Sequence, residues 1–300
     1  MEDVVNITVV TCNRLDCTKQ CLESILNTTR FPFKLNIVDN GSTDGTGSYL
    51  HELRTRHPRA DAIHNIALLD ANMGVACAYN LGWSMLKTRY YAKIDNDVVV
   101  LRDDWLDELV AVTNQVDDVA MVGFGRNTSG LTHPDHPDLF YQGHVGGCVL
   151  IPEKAHQQLG YWIEDYGHYG EEDADYGFRA RVAGFCNLTI GTDTPYITFA
   201  TSNDAATREY EAWKAQQRRE NIANLFPFNT MLFASGIRKP HVRRKHIPHV
   251  ENGRYTFRED PDYVREMEVF RQRYMPIMDQ IVASDAFKEI ESRLFLNFYY

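Results

Sequence analysis

What most constrains this chain is a regular alternation of strand and helix signals through its first hundred residues. Asn6–Thr11 (NITVVT) is a short β-rich run, and Leu15–Leu26 then carries Leu15, Leu22, Ile25 and Leu26 on one helical face. Leu35–Val38 reads as a second strand, ended by the turn formers Asp39, Asn40, Gly41 and Ser42. A helix around Gly47–Arg56, a strand near Ile63–Leu69, a helix over Val75–Lys87 and a strand at Tyr90–Ile94 keep the rhythm. Such alternation predicts an α/β fold, a mostly parallel sheet covered by helices on both faces. Ligands of such sheets gather beyond the carboxyl ends of the strands. Thr11–Arg14, Asp39–Ser42 and Asp95–Asp97 each follow a strand, so the pattern puts all three on one rim.

The remainder is less regular. Val119–Phe124 and Val145–Ile151 read as strands, with the intervening NTSGLTHPDHPD, rich in turn formers, as a loop. From Ala205 the pattern turns helical and charged, over Ala205–Leu225, Asp262–Val282 and Ser284–Asn297, with Ile237–Phe257 as a connecting loop. The expected organisation is a domain over residues 1–204 and a C-terminal helical appendage over 205–300, whose helices offer a surface for homo-oligomerisation.

Charge and cysteine usage narrow the function classes. With 41 acidic against 31 basic residues the net charge is -10, which argues against nucleic-acid binding. The local exception, Arg238–His246, could meet an anionic acceptor or the periphery of a membrane. No apolar run approaches the roughly 20 residues that cross a bilayer, and the start lacks the basic region of a signal peptide. Six cysteines without matched CxxC pairs are expected as buried free thiols, which fits a reducing cytoplasm.

Three segments carry chemistry. In Lys93–Val100 (KIDNDVVV), Asp95 and Asp97 stand one residue apart at a strand end and can offer hard oxygens to Mg²⁺ or Mn²⁺, with phosphate oxygens completing the shell. A solvated turn is the plainer alternative. In VDNGSTDGT, Asp39 ends a buried strand where a carboxylate can accept from a base or ribose while nearby amides face phosphate. An Asx turn before a helix cap would look the same. In GEEDADYGFR, Glu171, Glu172, Asp173 and Asp175 crowd a helix start, which suits the helix dipole and equally a general base beside a cation.

In order and spacing, VVTCNR, IVDNGSTDGT, NMGVACAYNLG, KIDNDVVV, VGGCVLIP and GEEDADYGFR together resemble glycosyltransferase family 2, of the GT-A superfamily, from about Asn6 to Asn187. The resemblance implies a GT-A domain and an inverting, metal-dependent hexosyl- or deoxyhexosyltransferase of polysaccharide or glycoconjugate synthesis. Its partners would be a UDP- or dTDP-sugar donor and a sugar, lipid-linked or protein acceptor. Thr11, Asn13, Arg14, Asp39 and Asn40 would surround the nucleoside, with Asp39 reading the base. Asn72, Gly74 and Asn80 would cover the diphosphate. Asp95, Asn96 and Asp97 would form the DxD element that holds Mn²⁺ or Mg²⁺, with Asp97 the direct ligand. Gly146 and Gly147 would lie beside the donor sugar, Asp173 would be the base, and Glu172 and Tyr169 would face the acceptor. Relatives add a histidine ligand after the last sheet strand. Thr194–Phe199 has none, leaving His168, His241, His246 and His249 to substitute, while Arg238, Arg243, Arg244 and Lys245 could close over pyrophosphate. A carbohydrate hydrolase using the paired acids, or a non-catalytic nucleotide-sugar-binding protein, is the competing expectation.

Overall fold

The structure is a computed structural model that describes residues 4–125, 130–200 and 205–295. Its strands in chain order are β1 (Val5–Thr11), β2 (Phe33–Asp39), β3 (Ile63–Leu68), β4 (Tyr90–Asp95), β5 (Val98–Val100), β6 (Val119–Phe124) and β7 (Thr132–His133). They continue with β8 (His136–Tyr141), β9 (Cys148–Pro152), β10 (Cys186–Ile190), β11 (Ile197–Phe199), β12 (His246–Glu251) and β13 (Arg254–Glu259). The helices are α1 (Leu15–Thr28), α2 (Thr46–Arg56), α3 (Val75–Met85), α4 (Trp105–Gln115), α5 (Glu153–Leu159) and α6 (Glu172–Val182). Beyond them come α7 (Ala205–Ala223), α8 (Leu225–Ala234), α9 (Pro261–Tyr274), α10 (Met278–Val282) and α11 (Asp285–Phe295).

A central sheet runs β3-β2-β1-β4-β9-β6-β10-β8-β7. Parallel pairing joins β3, β2, β1 and β4, while β9 enters antiparallel between β4 and β6. All seven residues of β1 are buried, as expected of an inner strand with both faces covered. Val5, Ile7 and Val9 join one core with Leu22 of α1 and Leu109 of α4; Val10 joins a second core with Ala78 and Leu81 of α3. The chain builds outward from β1 to β2 and β3, then returns to place β4 on the other side of β1. That reversal opens a crevice beyond the carboxyl ends of β1 and β4, the usual ligand position in such sheets.

Three expectations change. The connecting loop over 237–257 contains a hairpin, β12 with β13, closed by Asn252 and Gly253, both at positive φ, as a two-residue turn between paired strands requires. The loop before β9 contains a second, small hairpin, β7 with β8, which pairs on to β10. The helix read over Asp262–Val282 stops at Tyr274 and resumes at Met278, because Pro276 lacks the amide to continue it. Asn127–Ser129 and Asn297, which that reading included, lie outside the described residues. All six cysteines are free, as expected, but only Cys17, Cys21, Cys77 and Cys148 are buried, Cys12 and Cys186 being half-buried. No described helix is long and apolar enough to cross a membrane.

Candidate active site

The crevice is an open cleft, and its lining brings together Arg14, Asn40, Asn72, Asp95, Asn96, Asp97, Tyr169, Glu172 and Asp173 from the expected set. Thr11, Asn13 and Asp39 stand behind that lining and hold its first rim. Asp39 is buried at the end of β2, where its carboxylate accepts from Thr11 Oγ1 at 2.8 Å and from Ser42 Oγ. Asn13 and Arg14 are consecutive left-handed residues, an uncommon conformation for side chains other than glycine and asparagine. Asn13 holds the kink by receiving Thr43 N–H on Oδ1 at 2.8 Å, while its own N–H donates to Ser42 Oγ at 2.7 Å. Asn40 fixes the next loop: its Nδ2 donates to Asn72 Oδ1 at 2.9 Å and its Oδ1 accepts from Met73 N at 2.8 Å. Gly74 must be glycine there, at φ 89° with room for a Cβ removed by Gly167 O at 2.1 Å.

The DxD turn joins β4 to β5, and each of its carboxylates meets a cation of the chain itself. Asp97 Oδ2 lies 3.0 Å from Arg14 Nη1 and Asp95 Oδ1 lies 2.6 Å from Lys93 Nζ. Tyr79 OH adds a bond to Asp95 at 3.1 Å, and Asn96 donates to Thr18 at 3.0 Å. Lys93 is buried beneath the cleft. Burial opposes its charge, yet Asp95 and then Asp173 outweigh burial and raise its pKa. The backbone carries the DxD turn on to the other side, because Asp95 N donates to Gly147 O at 2.8 Å. A Cβ on Gly146 would sit 3.4 Å from Asp173 Oδ2. Gly146 and Gly147 therefore separate the two acidic elements with almost no side-chain volume.

At the start of α6 the four acids divide. Glu171, at φ 73°, pairs with Arg218 at 3.1 Å. Glu172 is buried, and burial first and the adjacent Asp173 second push its carboxyl up to about 8. Asp173 faces the cleft. Asp175 turns into the core and forms a fully buried pair with Arg179 at 2.7 Å, steadied by Tyr166 OH at 3.2 Å. Of the remaining expected residues, Asn80 faces away from the cleft. It is fully buried, its Nδ2 donating to Trp162 O and Glu164 Oε1 and its Oδ1 accepting from Trp162 N.

Several lining residues escape a reading of the sequence. Lys93 is masked by its apolar strand, although a lysine two residues before an acid in a buried run is a legible charge-pair signal. His144 carries no such signal. Tyr210, Trp213, Lys214 and Arg218 come from α7, the first helix of the supposed appendage. The basic segment does the reverse. Arg238 is buried against Tyr263 and Asn229, Arg243 pairs with Asp260 and Glu266, and Lys245 pairs with Asp165 and Glu259. Arg244 lies against Glu164 at 3.7 Å and Ser84 at 3.0 Å. None of the four lines the cleft: Asn229 and Tyr263 hold Arg238 to the body of the protein, and acids hold the other three. Of the four histidines weighed as ligands, only His168 lines it.

Cys77, Glu164 and His246 also bring three ligand-type atoms within 4.8 Å of one another. The environment suits an ion-pair hub better than a cation. Glu164 accepts from Asn80 and from the backbone N of His246 at 2.6 Å, stands 2.7 Å from His246 Nδ1, and has the Arg244 guanidinium beside it. A cation placed there would meet that guanidinium. The hub fastens β12 and β13 to α3.

Comparison with known proteins agrees with this architecture. The fold is similar to that of the mannosyltransferase PcManGT from Pyrobaculum calidifontis in complex with GDP-Man and Mn²⁺, with a TM-score of 0.54 at 14% identity over 98% of this chain and 87% of that one. It is similar too to S. aureus TarS 1–349 in complex with UDP-GlcNAc, with a TM-score of 0.53 at 15% identity over 78% and 66%. These likenesses establish a GT-A fold. In sequence the chain is 26% identical over 165 residues to glycosyltransferase GlyG of Streptococcus pneumoniae serotype 4, covering 54% of this chain and 52% of that one. It is likewise 26% identical over 125 residues to an uncharacterized glycosyltransferase of Haemophilus influenzae, covering 41% and 37%. The chain thus spans about half the length of the first curated relative and less of the second. The model of glycosyl transferase family 2 matches residues 6–175, which hold the first rim, the DxD turn and the start of α6. With more than half its length inside that match, the chain belongs to glycosyl transferase family 2.

Proposed function

We propose that the protein moves a sugar from a UDP- or dTDP-linked donor to an acceptor hydroxyl by a single inverting displacement, in polysaccharide or glycoconjugate synthesis. The observation that carries this reading is the path from Asp95 through Gly147 and Gly146 to Asp173: a diphosphate end and a proton-accepting end, joined by residues that leave room for a ring. In this reading residues 1–204 are the transferase domain, and α7 of the extension over 205–300 completes the cleft.

Asp39, held by Thr11 and Ser42, accepts a hydrogen bond from the base, with Asn13 and Arg14 shaping the rim around the nucleoside. Asn40, Asn72 and Gly74 line the diphosphate. Asp97 and Asp95 would hold Mn²⁺ or Mg²⁺. Hard carboxylate oxygens that already draw two protein cations suit such an ion. Bound there, it supplies Lewis acidity at the leaving diphosphate. Arg14, released from Asp97 by such an ion, would be available to pair with the same phosphates. Asp173 accepts the acceptor hydroxyl proton as that oxygen attacks the anomeric carbon, and the bond to the diphosphate breaks on the opposite face. Glu172, whose carboxyl burial and then Asp173 push up, can donate to the acceptor when protonated. Tyr169 stands next to them.

Melting curves with UDP, dTDP and GDP, each with and without Mn²⁺, test the site. A ligand at a hundredfold excess over its Kd stabilises by about 2.7 kcal/mol. UDP or dTDP with Mn²⁺ should give the largest shift, and Asp97→Asn should abolish both its metal dependence and sugar transfer. Full transfer by Asp97→Asn, or in excess EDTA, would overturn the metal role, and retention of the donor's anomeric configuration in the product would overturn inversion.

A further inference from the structure

One wall of the cleft takes no part in the chemistry above. Tyr210, Trp213 and Lys214 lie on one face of α7 at helical spacing and all line the cleft. Trp213 stands 5.8 Å from Tyr210, nearly parallel at 22°, and 6.2 Å from Tyr169 on the loop before α6. Lys214 Nζ lies over the rings of both tyrosines, at 5.1 and 5.2 Å. The wall is fastened to the acidic helix start. Arg218 pairs with Glu171, and Asn221 Nδ2 reaches the carbonyls of Tyr166, Tyr169 and Gly170 at 2.9, 3.1 and 3.1 Å. Trp213 is therefore held at a fixed distance from the residues that carry Asp173.

Charge says what such a wall would take. Five acidic side chains line the cleft (Asp95, Asp97, Glu171, Glu172 and Asp173), with four lysine and arginine side chains among them. Each of those four is engaged: Arg14 with Asp97, or with the diphosphate once a cation takes that acid, Lys93 with Asp95 beneath the cleft, Arg218 with Glu171 and Lys214 with Glu211. An anionic acceptor entering beside a diphosphate would meet no spare lysine or arginine among the lining residues. Aromatic faces edged by polar groups suit a ring with an apolar face and hydroxyls around its rim. We propose that Tyr169, Tyr210 and Trp213 form the acceptor subsite, an aromatic platform that takes a neutral pyranose and presents one of its hydroxyls to Asp173. This rests on the transferase reading and narrows its acceptor to an uncharged saccharide.

Saturation-transfer NMR on the full chain tests it, in the presence of Mn²⁺ and UDP, dTDP or GDP, whichever binds. The probes are the methyl glycosides of glucose, galactose, N-acetylglucosamine and rhamnose, with methyl glucuronoside as the anionic comparison. At least one neutral glycoside should bind, with its signal falling at least fivefold in Trp213→Ala and by no more than about half in Trp213→Phe, while nucleotide affinity stays within twofold. If Trp213→Ala melts below the assay temperature, Tyr169→Ala carries the same expectation. Undiminished binding in the alanine variant, an equal loss in Trp213→Phe, binding of the glucuronoside alone, or no glycoside binding while the nucleotide binds would each overturn the platform. Failure of all three nucleotides to bind the wild-type protein would instead overturn the transferase reading itself.

Discussion

The DxD turn and the start of α6 look alike in the sequence, two short acidic runs at element boundaries, and the fold makes them opposite in kind. Asp95 ends β4, and Asp97 stands two residues on, in the tight turn to β5. Both reach the same cleft, and each meets one cation of the chain. On α6 successive side chains turn by about 100°. Its acids therefore divide: Glu171, held by Arg218, the largely buried Glu172 and Asp173 line the cleft, while Asp175 turns into the core against Arg179. The short turn keeps both of its acids in one place, and the helix start sends one of its four away into the core. A cluster of acids on a helix is thus several groups with several functions.

The contrast breaks most readily at Asp173. If it alone of its cluster serves as the base, Asp173→Asn should lower turnover at saturating donor by roughly 10²–10⁴, while the melting temperature and donor affinity barely move. Retention of more than about a tenth of wild-type turnover would return Asp173 to the role of a helix-start acid. Two residues on, the expected loss is of folding. Asp175→Ala leaves Arg179 buried without its partner and should cost about 3–5 kcal/mol in urea unfolding. A cost below about 1 kcal/mol would mean that Arg179 finds other acceptors.

The rim beyond β1 and β2 should respond less. Asp39→Ala should weaken nucleoside diphosphate binding by roughly 1–3 kcal/mol by calorimetry, the loss expected for a charged hydrogen-bond partner. Thr11→Val, which removes only the bond behind Asp39, separates base recognition from rim stiffness, and equal affinities for Asp39→Ala and wild type would take Asp39 out of the site. The smallest effect is one of pH. The Glu172 carboxyl titrates at about 8 in the folded protein against 4.5 ordinarily. A raised carboxyl favours the fold fully below about 4.5, and that contribution is lost as pH rises through 8. Glu172→Gln should therefore gain on wild type in unfolding midpoint between pH 5 and pH 8.5. A constant difference across that range would mean that Glu172 is ionised throughout.

The sequence by itself determined the alternation of β1, α1, β2, α2, β3, α3 and β4, because a strand buried on both faces must be apolar throughout and a covering helix must be apolar on one face. It also determined that Thr11, Asp39 and Asp95 share a rim, since each ends a strand of one parallel set. The hairpin β12–β13 was legible in Asn252-Gly253 but hidden by charges and by Pro248 in strand positions, which blur the two-residue alternation. Only the tertiary structure decided that Lys93 lies under the DxD turn, that Arg243, Arg244 and Lys245 belong to acids of their own body, and that α7 closes the cleft. Helical spacing identifies which residues of α7 share a face. It carries no information on what that face meets, because docking depends on Arg218 and Asn221 finding partners some fifty residues away in the chain.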